Sequence, residues 1–177
     1  MARNTSVKQG SNKGMKTYII VDIESNGPIP GDNSMTQLGA VILDDKLDKT
    51  FQVNIKPISD KFDKDRVDPS HSINAKDAKT ALTEFKAWIN INIKDKPVFV
   101  SDNNGYDWMF VCWYFWHFLN ENPLGYNSTN INSFYKGMKN DLSVNIDELR
   151  SKSLTHDALE DALDNAKAFQ KLIAAKK

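Results

Sequence analysis

Asp22 and Glu24 stand two residues apart in TYIIVDIE, Asp107 follows far downstream in SDNNGYDW, and His156 and Asp161 are five apart in LTHDALED. Carboxylates are hard oxygen donors suited to Mg²⁺ or Mn²⁺. An imidazole, with an ordinary pKa near about 6.5, is a base matched to neutral solution. Brought together, these five side chains would hold divalent cations and move a proton. Each also has a plainer account. A D-x-E pair can end a strand in solvent. An Asp at the start of a helix is favoured by the helix dipole and by capping. Asp157, Glu160, Asp161 and Asp164 read equally well as the acidic opening of a helix with a solvated face. On helical periodicity Asp161 falls away from the apolar stripe, and His156 meets it over one cavity only if it sits at or before the first turn. Of the other histidines, His117 belongs to an aromatic run and reads as packing or helix surface, and His71 lies in a polar stretch.

The elements that must position these residues follow from hydrophobic pattern. Thr17–Ile23 is a β-branched run, the mark of a strand buried on both faces. A strand's period of two sends Asp22 and Glu24 to the same face at its end. Met35–Leu43 is a second such run, and Thr50–Lys56 alternates as a third strand. The link SNGPIPGDN over 25–33 is rich in Gly and Pro, cannot be helical, and is longer than a tight hairpin needs, so it reads as a functional loop. Apolar spacing predicts a helix over Asp77–Ile93. A short buried strand is expected over Pro97–Ser101, and an aromatic helix over Tyr106–Leu119 with Asp107 at its opening. Gly125–Tyr135 is expected to be a short strand with a turn, and Asn145–Arg150 a short helix. A last helix is expected over His156–Ala175, with the stripe Leu159, Ala162, Leu163, Ala166, Phe169 and Ile173. Three early strands, then helices alternating with strands, give an α/β fold in which helices flank a mixed sheet.

The totals bound the function. A chain of 177 residues suits one domain with a sizeable core. Lys plus Arg equals Asp plus Glu at 23 each, which argues against a protein that coats DNA non-specifically while permitting local positive charge beside an acidic site. One cysteine, Cys112, excludes an internal disulfide and a multi-cysteine zinc site, as suits a cytoplasmic protein. No run approaches the roughly 20 apolar residues of a membrane span. Residues 1–14 carry Arg3, Lys8 and Lys13 without an apolar segment, and are expected to be a flexible basic tail ahead of a domain over 15–177. Neither a G-x-G-x-x-G nor a Walker pattern occurs.

Taken together, the motifs DIE, NNGYD and HDALED, in that order and on these elements, resemble those of the DEDDh 3′→5′ exonucleases. That group includes RNase T, oligoribonuclease and the proofreading exonuclease of replicative DNA polymerases. LGAV, after the Pro-Gly loop, is similar to the family's second-strand motif, and the resemblance spans Lys16 to Ile173. Where many members carry T-T-G after the acid pair, this chain has Ser25, Asn26 and Gly27, then PIPGDN, and substrate preference is the property this departure touches. The resemblance implies a ribonuclease H-like sheet of about five strands in a single domain. It also implies that Asp22, Glu24, Asp107 and Asp161 bind two divalent cations, Mg²⁺ or Mn²⁺, with Asp22 as the bridge. His156 becomes the general base, and the substrate a single-stranded RNA or DNA with a free 3′ hydroxyl. Ser25 and Leu38 become candidates for contact with the terminal nucleotide. Trp108, beside Asp107, is a candidate for stacking on a base, although the all-round apolar character of WMFVCWYFWHFL suits core or a homodimer contact better. The competing expectation is a catalytically inactive nucleic-acid-binding module on the same fold, or an interaction protein whose acids lie far apart.

Overall fold

The computed structural model describes residues 16–63, 74–151 and 153–175; the expected basic tail over 1–14 and His71 lie outside the described residues. Among the described residues, five strands form one mixed sheet: β1 (Tyr18–Ser25), β2 (Met35–Ile42), β3 (Thr50–Asn54), β4 (Val98–Ser101) and β5 (Ser128–Asn130), in the order β3-β2-β1-β4-β5. β1 pairs antiparallel with β2 and parallel with β4, so the sheet changes sense at its central strand. Four helices flank it: α1 (Ala78–Asn92), α2 (Asn104–Leu119), α3 (Ile131–Lys139) and α4 (Ala158–Ala174), with a 3₁₀ turn at Ile146–Leu149.

Strand alternation divides the core in two. Ile19, Val21 and Ile23 of β1 face the layer that contains Phe85 of α1 and Phe110, Tyr114 and Phe115 of α2. Ile20 faces the other layer, with Ile131, Tyr135, Ala162, Ala166 and Phe169. Burial of each such Ile or Phe stabilises the fold by about 1.5–3 kcal/mol. Asp22 and Glu24 continue the Ile20 face, and so point toward α4.

The region 125–135 differs from its expectation. Only Ser128–Asn130 is strand, and Ile131 already begins α3. Asn130 causes the switch: its side chain accepts from the Ser133 N–H at 2.5 Å and caps the helix, whose apolar residues Ile131 and Tyr135 are then buried on one face. The last helix also starts later than its periodicity suggests. Asp157 caps it by accepting from the Leu159 and Glu160 amides, which leaves His156 outside the helix at φ +59°. Helix α2 begins at Asn104, so Asp107 lies within its first turn. Its outer side leaves Met109 and Trp116 exposed. No described helix is long and apolar enough to cross a membrane.

Candidate active site

The carboxyl end of β1, the turn from β4 into α2 and the entry to α4 meet at one place. Oxygens of Asp22, Glu24 and Asp161 lie within 4.8 Å of one another, and so do those of Asp22, Asp102 and Asp107. The two groups share Asp22. The four acids expected from three separate motifs are therefore neighbours, together with a fifth, Asp102, that sequence reasoning missed.

Each acid has a local reason to be there. Asp22 and Glu24 follow from the period of β1, whose pairing with β2 shifts register between Glu24 and Ser25 and turns the strand end out of the ladder. Asp107 sits where the α2 dipole favours a negative charge. Asp161 is 2% exposed, against the solvated face that periodicity suggests. The small residues Ala158 and Ala162 bring α4 close to the sheet and carry Asp161 inward with them. Gly39, paired across the sheet with Asp22, makes the approach possible: a Cβ there would stand 2.2 Å from the Ala158 carbonyl carbon. Gln37, two residues earlier on β2, accepts from the Ala158 N–H at 2.6 Å, and Gln52 of β3 donates to Asp157 at 2.9 Å. These contacts seat the start of α4.

His156 is placed by Asp161. One oxygen of Asp161 accepts from the Thr155 N–H (2.9 Å) and hydroxyl (3.0 Å), and the other accepts from the His156 N–H at 3.0 Å. The imidazole, 78% exposed, stands at the mouth of the site with Nδ1 3.6 Å from Glu24 Oε1.

Electrostatics mark Asp22 and Asp107 as uncompensated. Burial, and then the charges of Asp107, Asp102, Glu24 and Asp161, push the Asp22 carboxyl well above the usual carboxylate range. Asp107 is raised as well, by burial first and by the Asp102 charge next; the nearby Ser101 hydroxyl and Ile23 amide pull the other way. One oxygen of Asp107, a residue only 3% exposed, has no hydrogen-bond partner. A buried carboxylate oxygen without a donor, among other acids, costs free energy that a hard cation would recover. The donor set fits a divalent metal.

The remaining candidates fall in different surroundings. Ser25 is buried at the end of β1; its hydroxyl donates to the Gly27 carbonyl at 2.8 Å and meets the Tyr106 hydroxyl. Leu38 is wholly buried, paired with Ile23 in the core, with no exposed surface for a nucleotide. Trp108 packs edge-on against Phe99 at 4.9 Å and also borders an open groove formed by Pro30, Met109, Cys112, Trp113, Trp116 and His117. The exposed His117 stacks on Trp113 at 4.3 Å.

Comparison with known proteins agrees with this geometry. The RNase T exonuclease family model matches residues 19–169. A 3′-5′ DNA exonuclease of Escherichia coli, Cap18, is 32% identical over 171 residues, covering 86% of this chain and 89% of that protein. Among solved structures, the nuclease domain of 3′hExo, a DEDDh family member bound to rAMP, superposes with a TM-score of 0.72 at 13% identity, over 92% of this chain and 94% of that one. Escherichia coli exonuclease I in complex with a dA16 oligonucleotide gives a TM-score of 0.68 at 14% identity over 89% of this chain, which spans 41% of that longer protein. These structural likenesses show the same ribonuclease H-like fold, while the family model and the E. coli relative carry the assignment: the chain belongs to the RNase T exonuclease family and is a 3′→5′ exonuclease of the DEDDh type.

Proposed function

We propose that the chain removes 5′-mononucleotides one at a time from the free 3′ end of single-stranded DNA, with two divalent cations, Mg²⁺ or Mn²⁺, held by Asp22, Glu24, Asp107 and Asp161. The observation that carries this reading is the pair of acid groups that share Asp22. A single carboxylate common to both is the arrangement expected of a ligand that bridges two ions. When bound, such ions neutralise phosphate charge and stabilise the attacking and departing oxygens of an in-line displacement.

The protein's own residues supply the rest. His156, exposed beside Glu24, takes the proton of a water whose oxygen attacks the terminal phosphorus. The bond from phosphorus to the 3′ oxygen of the preceding nucleotide breaks, that oxygen takes a proton from solvent, and the phosphate leaves on the released nucleotide. Asp161 holds the backbone on which His156 is mounted, so acid and base keep a fixed relation. DNA is preferred over RNA in this reading because the E. coli relative is a DNA exonuclease by name.

The test is release of mononucleotides from matched 3′-labelled DNA and RNA strands, linear and circular, with Mg²⁺ or with chelator. Linear DNA alone should be digested, and only with metal. Undiminished release in excess chelator, or cutting of circular strands, would overturn the reading; equal digestion of RNA would remove only the preference for DNA.

A further inference from the structure

Asp102 directly follows β4, and one of its oxygens accepts from the Nη2 group of Arg150. The other oxygen, Oδ1, is buried with no partner. The Asp102 carboxylate also belongs to the group that includes Asp22 and Asp107, all within 4.8 Å of one another. Arg150 is itself almost wholly enclosed, its side chain 3% exposed. Beyond Asp102 it reaches Asn165 Oδ1 at 2.9 Å and Asp147 at 3.2 Å, and so ties β4 to α4 and to the 3₁₀ turn. Asn165 lies one helical turn after Asp161 on the buried face of α4.

Charge explains why this arginine is inside. Burying a guanidinium is costly unless it is paired. The site carries five carboxylates, whereas two divalent ions neutralise four negative charges; Arg150 neutralises the fifth. The buried, unpartnered oxygen of Asp107 indicates that this half of the site is built around a ligand, and Asp102, which also keeps a buried oxygen without a partner, offers a carboxylate oxygen within 4.8 Å of those of Asp22 and Asp107.

We propose that Asp102 is a fifth carboxylate of the metal centre, contributing its free oxygen to the cation held by Asp22 and Asp107, and that Arg150 is the residue that positions it. This rests on the two-ion reading. It divides the centre into unlike halves: one served by Glu24 and Asp161 beside the exposed histidine, the other by Asp107 and Asp102 against a buried arginine.

Calorimetric Mn²⁺ titration of the whole chain tests it without recourse to activity. The wild type should bind two ions. Asp102→Asn, which keeps an acceptor for Arg150 but removes the free carboxylate oxygen, should weaken one site by at least about tenfold and leave the other unchanged, in the range expected when a ligand or its support is altered. Arg150→Lys should weaken the same site, and Glu24→Gln the other. A wild type that binds no Mn²⁺, or one ion only, would sink the two-ion reading itself. Two wild-type ions with unaltered binding in Asp102→Asn would sink only the role of Asp102. Carboxylate ¹³C signals of the unmutated protein guard against a misfolded variant. The Asp102 resonance should move with that of Asp107 as Mg²⁺ is added, and an Asp102 resonance that stays still while Asp107 shifts counts against the proposal.

Discussion

At the scale of single residues, the acids differ in what they have already committed. Asp161 spends both oxygens on the Thr155 and His156 backbone, whereas one oxygen of Asp107 has no partner. Asp22 is common to both groups of acids, so Asp22→Asn is expected to abolish mononucleotide release and Mn²⁺ binding together, as read by a gel assay and a calorimetric titration. His156→Ala should retain the ions and slow release by about 10²–10⁴-fold, the usual scale for loss of a general base. The raised carboxyls also give a pH signature. The ordinary value is 3.8, and in the folded chain Asp22 and Asp107 lie well above it. The folded state thus holds more protons between the two values. Their contribution to stability is fully present below about 3.8 and is lost as pH rises through the raised values. Metal-stripped protein should therefore melt at progressively lower temperature from acidic to neutral pH. Added Mg²⁺ should raise the midpoint more at pH 8 than at pH 5, since cations bind the ionised form. An equal rise at both values would contradict the assignment.

At the scale of elements, the site depends on how closely α4 approaches β2. Gly39 lies beneath Ala158 with no room for another carbon, and Gly39→Ala is expected to cost about 1–3 kcal/mol of stability, as overpacking does. Urea denaturation reads the stability loss. Release should fall as well, because displacement of α4 carries Asp161 and His156 away from Asp22. Much of this was legible in the sequence. The β-branched run of β1 and its period of two place Asp22 and Glu24 on one face, and apolar spacing locates α1, α2 and most of α4. Other parts were not legible, for physical reasons. The burial of Asp161 depends on the close approach of Ala158 to Gly39, two small residues that lie outside the apolar stripe read from the sequence. Ile131 and Tyr135 are too few to reveal α3 without the Asn130 cap. Asp102 and Arg150 are 48 residues apart in the chain, and nothing local to either predicts their pairing. The one hint was that Asp102 directly follows a buried strand, in the same segment as Asp107.

At the scale of the whole molecule, β1, the β4–α2 turn and the start of α4 come from distant parts of the chain and meet only in the folded state. A ligand held among them binds the native form alone and stabilises it by mass action, about 2.7 kcal/mol at a hundredfold excess over Kd. Differential scanning calorimetry with and without Mn²⁺ should show that increment, and Asp22→Asn should lose it. The loop between β1 and β2 has a different standing. Met35 N–H donates to the Tyr114 hydroxyl at 2.7 Å, Tyr106 reaches the Gly27 carbonyl at 3.0 Å, and Gly31, at φ +93°, rests against the Trp113 ring. A loop fastened to one helix at two points, and again where it enters β2, is a wall rather than a door. In the function proposed above, such a wall would leave discrimination among strand ends to the fit of a standing aperture instead of to a gate that shuts behind them.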